Sequence, residues 1–343
     1  MWQKAIAPRE PNAPTVISTF AGGGGSLTGY MMAGFHDLLA VEWDNNAVET
    51  LRLNWPELDI YHGDIAKLSV EEVLQRTGLK PGELDILDGS PPCQGFSTAG
   101  KRILDDPRNQ LFREYVRLLR GLRPKVFIME NVSGMVKGKM KLVFVEILKE
   151  LKASGYRVSA KLLNAMYFHV PQSRERMIFI GVRDDLGIEP SHPKAESKLI
   201  GASSIEGASC LGVDGQSLKL EGKTSRYIKL LKPGQRLEQL YEQINGKGKK
   251  AYFAFSRTHP LKPARTIAKD SAGLFHYHHD RTLTIGEYKR IASFPDAYKF
   301  IGSFNSALHR MGNSVPPLFM EAIARHVRAE ILDKVETAVP ANG

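Results

Sequence analysis

Cys93 is the residue in this chain with the clearest capacity for chemistry, because an ionised thiol is a strong nucleophile. It follows a short apolar run and then the segment Gly89-Ser90-Pro91-Pro92. Two successive prolines fix φ and lack amide hydrogens, so they stiffen the backbone just before the thiol. Open α/β sheets place their chemistry at the carboxyl ends of strands, where this loop would lie. A lone cysteine is also often a small buried residue without a role, so Cys93 by itself leaves both interpretations open.

Charged side chains near two later strands could assist such a thiol. Glu130 follows the apolar run 126–129, and a carboxylate that leaves a buried strand is partly desolvated and suited to proton transfer. Arg174 and Arg176 alternate in an extended stretch and should point to one side, where two guanidinium groups suit phosphates or a base carbonyl. The alternatives are an exposed acid that begins a turn and a pair of surface salt bridges.

The elements that would position these groups begin with a strand at residues 14–20. A glycine-rich turn at residues 22–25 and a helical pattern at 27–33 follow it. This order is the start of a nucleotide-binding α/β unit, in which glycines let the backbone approach a ligand closely. The dinucleotide fingerprint needs a further glycine where Leu27 stands, which disfavours an NAD-dependent oxidoreductase.

The second and third predicted strands end in residues that could hold the rest of a nucleotide. The second strand, residues 37–41, leads into Glu42, which lies 20 residues after Gly22 and could accept hydrogen bonds from ribose hydroxyls. Trp43 offers a flat face to an adenine ring. Asp64 closes the third strand, where it could bind the adenine amino group. A surface acid beside a half-buried tryptophan is the alternative.

Periodic patterns continue along most of the remaining chain. They predict helices at 45–54, 111–122, 141–153, 284–292 and 315–334, and strands at 126–129, 157–163 and 176–182. Thr284 and Glu287 have the capping-box spacing, and Pro316 and Pro317 are tolerated in the first turn of the last helix. Exposed amides at residues 312–314 could hold a carboxylate.

Composition restricts the class of protein and its surroundings. The chain has 343 residues, 42% of them hydrophobic, which fits one large α/β domain with a smaller one. No run is long and apolar enough to span a bilayer, and the first residues lack a signal-peptide core. Only two cysteines are present, so a reduced, cytoplasmic location is expected, and no metal site is predicted.

Positive charge is concentrated in one stretch of the chain. The net charge is +10, and residues 190–262 carry 13 Lys and Arg against 6 Asp and Glu. Such an excess favours a polyanionic partner, most simply nucleic acid, although a solvated surface is the alternative. Within this stretch residues 252–257 alternate like a strand, and residues 247–250, which include Lys249 and Lys250, are a candidate phosphate-contacting loop.

Taken together, these motifs resemble those of the C5-cytosine DNA methyltransferases of the bacterial restriction–modification type. They occur in the family's order over nearly the whole chain, except in the arm 1–14 and at about 190–262. Gly23 stands where the family commonly has a larger residue. The matching segments are Phe20-Ala21-Gly22-Gly23-Gly24-Gly25, Pro91-Pro92-Cys93-Gln94-Gly95-Phe96-Ser97, Glu130-Asn131-Val132, Gln172-Ser173-Arg174-Glu175-Arg176, Leu283-Thr284 through Phe294-Pro295-Asp296, and Arg310-Met311-Gly312-Asn313-Ser314-Val315-Pro316-Pro317.

The resemblance implies a doubly wound α/β fold, with a mixed, mostly parallel Rossmann-like sheet of the S-adenosylmethionine-dependent methyltransferase type. It implies an N-terminal arm at 1–14, a catalytic and cofactor-binding domain at 15–189, and a smaller target recognition domain at 190–262. Residues 263–343 would return to the catalytic domain. The implied partner is double-stranded DNA, acted on by a monomer, with a cognate restriction endonuclease as a further candidate.

The resemblance also assigns roles to individual residues. The Cys93 thiolate would attack carbon 6 of a flipped-out cytosine, Glu130 would contact N3 and the 4-amino group, and Arg176 would contact O2. Arg174 would support the loop or a phosphate. Gln94 completes the catalytic set. The implied cofactor contacts are Phe20, Gly22, Gly24, Gly25, Glu42, Trp43, Asp64, Ile65, Pro91, Asn313 and Val315, and the implied DNA contacts are Ser97, Lys101, Lys249, Lys250 and Arg257.

Two further interpretations share these motifs. A tRNA cytosine methyltransferase has the same catalytic residues, but its typical Cys-Phe-Thr tripeptide is absent near residues 274–279. A DNA-binding relative without catalysis would require a broken motif, whereas Cys93, Glu130 and Arg176 are all present. The target DNA sequence cannot be read from these patterns.

Overall fold

The structure is a computed structural model of the chain. It describes residues 10–92, 110–136, 140–196, 198–218, 223–246, 252, 254–269 and 272–338. Within these ranges no helix is both long enough and apolar enough to cross a membrane.

Eleven strands and eleven helices are described, and nearly all of the predicted ones are among them. The strands are β1 Thr15–Thr19, β2 His36–Glu42, β3 Ile60–His62, β4 Ile86–Gly89, β5 Val126–Val132, β6 Tyr156–Asn164, β7 Gln172–Ser173, β8 Glu175–Arg183, β9 Ser256–Arg257, β10 Ala264–Arg265 and β11 Leu274–Phe275. The helices are α1 Gly25–Met32, α2 Asn45–Asn54, α3 Val70–Thr77, α4 Gln110–Leu122, α5 Met140–Ala153, α6 Lys223–Ile228, α7 Leu237–Asn245, α8 Ile285–Ile291, α9 Phe304–Asn313, α10 Pro317–Val327 and α11 Asp333–Ala338.

Seven strands form one twisted sheet in the order β3-β2-β1-β4-β5-β8-β6. All neighbours are parallel except that β8 runs antiparallel to both β5 and β6. The chain moves outward in one direction from β1 and in the other from β4, so the strand order reverses between them. Open α/β sheets bind ligands at such a switch point, outside the carboxyl ends of the strands. The predicted doubly wound, mostly parallel fold is confirmed.

Helices cover both faces of this sheet and enclose two hydrophobic cores. One core joins the sheet to α1 and α10 through residues such as Tyr30 and Phe319. The other joins the opposite face to α3, α4 and α5 through residues such as Phe112 and Ile147. Side chains of a strand alternate between faces, so the two cores use alternate strand residues.

The C-terminal part of the chain returns to the first α/β unit. A Cβ atom at Gly29 would lie 2.6 Å from the Pro317 carbonyl oxygen and 2.7 Å from Cβ of Met320, so α1 and α10 approach closely. The last helix is interrupted: α10 ends at Val327, a π-helical stretch covers Arg328–Leu332, and α11 follows. Pro317 occupies its first turn, as predicted.

The predicted smaller domain at 190–262 does not have a core entirely of its own. Ala202 and Ile205 pack in one cluster with residues of α8 and α9. Arg290 of α8 donates hydrogen bonds to the carbonyl oxygens of Ser204, Glu206 and Gly207. A separate small cluster joins Ile228, Leu231, Leu237 and Leu240 to Phe275. Of the strand predicted at 252–257, only Ser256 and Arg257 form strand β9.

Candidate active site at the carboxyl edge of the sheet

A hydrogen bond from β5 holds the backbone segment that precedes Cys93. Strand β4 ends at Gly89, and the buried Pro91 follows it. The amide Nδ2 of Asn131 donates a hydrogen bond to the Pro91 carbonyl oxygen at 3.2 Å, and Asn131 Oδ1 accepts from the Val132 amide at 2.8 Å. The end of β5 therefore holds the segment that enters the Cys93 loop. Cys93 and Gln94 themselves lie outside the described residues.

Glu130 and Arg176 form an ion pair at the same edge. Arg176 Nε lies 2.6 Å from Glu130 Oε1, and the side chains are only 14% and 9% exposed. Glu130 does not leave the strand as expected: β5 continues to Val132, because the antiparallel β8 pairs with it and places Arg176 opposite Val132. A carboxylate and a guanidinium so arranged present an acceptor and several donors to a ligand above the strand ends.

Arg174 is used differently from Arg176. Its side chain is 1% exposed, and Nη2 donates to the Gly312 carbonyl oxygen at 2.8 Å. Burial, with the nearby Arg176 charge, lowers its pKa to about 9. Contact with a phosphate, one of its two expected roles, is not supported by this position, because the guanidinium lies inside the protein. Arg174 instead ties the start of β8 to the end of α9.

Glu42 links the end of β2 to the glycine turn. Its Oε2 accepts from the Gly22 amide at 2.6 Å, and its Oε1 accepts from the amides of Trp43 and Asp44 at 2.8 and 2.9 Å. The neighbouring Trp43 is 78% exposed, so its indole face is open at this edge. Asp64 is exposed and accepts from the Ala66 amide through Oδ1, while Ile65 is buried.

The glycines of the turn serve two separate purposes. Gly22 has a φ of 53°, and a Cβ there would approach only the Phe20 carbonyl oxygen, at 3.8 Å, so the space beside it is open. Gly24 has a φ of 75°, and a Cβ there would collide with the Tyr298 hydroxyl and lie 2.9 Å from Cδ2 of Leu51. Phe20, directly after β1, also has positive φ, 55°. The structure thus leaves room for a ligand at Gly22 but packs protein against Gly24.

The last motif lies directly against this turn. A Cβ at Gly25 would overlap the Val315 carbonyl oxygen and lie 2.9 Å from Cβ of Ser314. Val315 is buried, whereas Asn313 is exposed. Tyr298 donates from its hydroxyl to the Gly23 carbonyl oxygen at 2.9 Å. Residues nearly 300 positions apart therefore meet at the start of α1.

Among the predicted DNA contacts, only Arg257 falls in the described part of the chain. It is 5% exposed, and its guanidinium donates to the carbonyl oxygens of Ile228 and His276 and pairs with Asp280. This geometry gives Arg257 a structural role, joining residues of the small domain to the segment that follows it, and its buried guanidinium is not placed for the DNA contact expected from the sequence. Ser97, Lys101, Lys249 and Lys250 lie outside the described residues.

Two buried acids inside the sheet were not singled out from the sequence. Asp88 of β4 accepts from the Tyr30 hydroxyl at 3.1 Å, and Asp37 of β2 accepts from Ser18 Oγ at 2.5 Å. Burial raises the pKa of Asp88 to about 7 and that of Asp37 well above its usual range. Their one sequence signal is an acid inside an otherwise apolar strand.

Known proteins resemble this chain over most of its length. The family of C-5 cytosine-specific DNA methylases matches residues 14–329. The Type II methyltransferase M1.HphI of Haemophilus parahaemolyticus is 35% identical over 328 residues, covering 91% of this chain and 86% of that protein. The Type II methyltransferase M.DdeI of Desulfomicrobium norvegicum is 31% identical over 368 residues, covering 91% and 88%.

Solved structures show the same fold. A DNA modification methyltransferase encoded within an E. coli prophage superposes with a TM-score of 0.75 and 23% identity, covering 93% of this chain and all of that one. The S. pombe Dnmt2 methyltransferase superposes with a TM-score of 0.62 and 18% identity, covering 94% and 99%. At these identities the similarity bears on the fold alone.

Proposed function

Because this chain belongs to the C-5 cytosine-specific DNA methylase family, we propose that its chemistry is carried by Cys93, Glu130 and Arg176 at the carboxyl edge of the sheet. The enzyme methylates carbon 5 of cytosine in DNA and uses S-adenosylmethionine. The observation that carries the assignment is the junction of β4, β5 and β8, where Asn131 holds the entry to the Cys93 loop and Arg176 pairs with Glu130.

The residues at the switch point fit S-adenosylmethionine. The carboxyl ends of β1, β2 and β3 carry the groups that could bind it. These are the open space beside Gly22, the exposed indole of Trp43, and the carboxylates of Glu42 and Asp64. Glu42 already accepts three amide hydrogens, and the unused lone pairs of its oxygens can still accept from ribose hydroxyls. Phe20, Ile65, Pro91, Asn313 and Val315 complete the proposed contacts. When bound, S-adenosylmethionine supplies an electrophilic methyl group.

Carbon 5 of cytosine is a poor nucleophile, and the role of Cys93 is to raise its nucleophilicity. Its thiolate adds to carbon 6, and the ring electrons move to make carbon 5 nucleophilic. Glu130 offers a proton to N3 and accepts from the 4-amino group, while Arg176 donates to O2, so the charge that develops on the ring is balanced. After methylation the carbon-5 proton leaves to a base, and the returning electron pair expels the thiolate.

A cytosine inside a stacked duplex cannot reach these groups. The base must be flipped out, at a cost of a few kcal/mol, before the Cys93 thiolate can reach it. The positive charge of residues 190–262 would bind the DNA backbone, with a steep salt dependence, and residues in this segment would read base edges. We further propose a short specific target within a restriction–modification system, a monomeric enzyme and a cognate endonuclease. Gln94, Ser97, Lys101, Lys249 and Lys250 remain proposed site residues.

Base-resolution mapping of 5-methylcytosine in DNA from cells that express the chain tests this function. We expect methylation at one short recurring sequence, and none with Cys93→Ser. Parallel incubation of the purified enzyme with duplex DNA and with tRNA separates DNA from RNA as the substrate. Methylation of tRNA alone, or undiminished methylation by Cys93→Ser, would contradict the proposal.

A further inference from the structure

Arg117 of α4 contacts the turn that follows β3. Its Nη2 donates hydrogen bonds to the carbonyl oxygens of Ile65, at 3.0 Å, and of Leu68, at 2.8 Å. Glu114, one turn earlier on the same helix, accepts from Nε of Arg117 at 2.7 Å and so fixes the direction of the guanidinium. This contact joins the helix that follows the Cys93 loop in the sequence to the end of β3.

The turn is too short to satisfy its own backbone. Residues Ile65–Lys67 form a single turn of 3-10 helix, and the last carbonyl groups of a helix lack partners within it. The Ile65 carbonyl oxygen accepts a long hydrogen bond, 3.3 Å, from the Leu68 amide. A guanidinium carries several donors in a fixed plane and suits such carbonyl groups. Arg117 therefore supplies hydrogen bonds that the turn cannot make by itself.

Asp64 lies at the start of this turn. Its Oδ1 accepts from the Ala66 amide at 3.0 Å, and its carbonyl oxygen accepts from the Lys67 amide at 2.9 Å. The preceding Gly63 amide donates to the Glu42 carbonyl oxygen at 3.0 Å. Strand β2 thus holds the turn on one side and α4 holds it on the other, so the position of the Asp64 carboxylate depends on both.

We propose that Arg117 is a positioning residue for the adenine end of S-adenosylmethionine, which acts by holding the turn that carries Asp64 and Ile65. The inference rests on the proposed function, in which Asp64 accepts from the adenine amino group. Arg117 lies outside every segment that carries the family resemblance. Because hydrogen bonds weaken steeply outside a narrow range of distances and angles, a small displacement of the turn should weaken the adenine contact.

The test compares two ligands that differ at the adenine amino group, with Kd values measured on the full chain by isothermal titration calorimetry. S-adenosylhomocysteine has this group, whereas S-inosylhomocysteine has an oxygen in its place and cannot donate from it. Arg117→Ala should raise the Kd for S-adenosylhomocysteine by about tenfold and that for S-inosylhomocysteine by much less. Arg120→Ala is the matched control: Arg120 lies on the same helix, pairs with Glu150 of α5 at 2.6 Å, and should leave both Kd values unchanged.

Equal weakening of both ligands by Arg117→Ala would overturn the inference, because a merely structural role leaves the preference for the amino group unchanged. Two unchanged Kd values would overturn it as well. Arg117→Lys, which keeps a charged donor, should retain part of the preference. If Arg117→Ala does not fold, Glu114→Gln takes its place. It removes the charge that holds Nε and should lower the preference by a smaller factor, and an unchanged preference would again refute the role.

A second variant checks that the effect passes through Asp64. Asp64→Asn keeps an acceptor for the Ala66 amide but replaces one carboxylate oxygen by a donor. In this background Arg117→Ala should lower the preference for the amino group no further, and a further fall would contradict the inference. An unaltered enzyme that binds neither ligand would refute the proposed function instead.

Discussion

Gly25→Ala should damage the junction between the first and the last motifs. The added Cβ would overlap the Val315 carbonyl oxygen and lie 2.9 Å from Cβ of Ser314, and neither is the end of a flexible side chain. Such overpacking costs about 1–3 kcal/mol, of which the better helix propensity of alanine offsets about 1 kcal/mol. The remaining loss of up to about 2 kcal/mol corresponds to a fall in Tm of up to about 3 °C, because the entropy of unfolding is about 0.7 kcal/mol/K for a chain of 343 residues.

The added methyl group should also push Ser314 and Val315 away from the glycine turn. Cofactor binding should then weaken, because Val315 and Asn313 would move away from the switch point. We expect the Kd for S-adenosylhomocysteine to rise by about tenfold, measured by isothermal titration calorimetry. Gly134→Ala is the matched control, since Gly134 is exposed and a Cβ there meets nothing within 4 Å. If Gly25→Ala matched Gly134→Ala in both Tm and Kd, the proposed role of the last motif would be refuted.

Three further predictions follow from described contacts. Trp43→Ala should weaken S-adenosylhomocysteine binding without lowering Tm, because the side chain is 78% exposed; an unchanged Kd would remove Trp43 from the site. Asn131→Ala should lower kcat and destabilise the fold by about 1 kcal/mol, because the hydrogen bond from the Asn131 amide to the Pro91 carbonyl oxygen is lost; unchanged kcat and Tm would contradict this. Exchanging residues 217–262 with a relative's segment should change the methylated sequence, and an unchanged target would place recognition elsewhere. This exchange should retain the fold better than exchanging 190–262, because Ala202 and Ile205 belong to the α8–α9 core.

Local patterns were enough to predict most elements that build the site. The helix at 45–54 and the Thr284–Glu287 capping box occur as predicted, because the signals for both are confined to a few neighbouring residues. The end of β5 was not predictable in the same way. Its extension through Glu130 to Val132 depends on pairing with β8, which comes more than 40 residues later in the chain.

Individual side chains were harder to predict than elements. Arg174 and Arg176 look equivalent in sequence, yet Gly312 accepts a hydrogen bond from the buried Arg174 while Glu130 pairs with Arg176. Arg257 was expected on the DNA because it is basic, but carbonyl oxygens and Asp280 enclose its guanidinium. The roles of these arginines follow from partners far away in the chain, and periodicity carries no information about them.

Covalent trapping on DNA with 5-fluorocytosine at the target position tests the central claim most directly. Fluorine replaces the proton that must leave carbon 5, so the thiolate cannot be expelled after methylation. With S-adenosylmethionine present, the account predicts a stable protein–DNA adduct that mass spectrometry of peptides assigns to Cys93, and no adduct with Cys93→Ser. An active preparation that forms no adduct, or one attached through another residue, would contradict the mechanism.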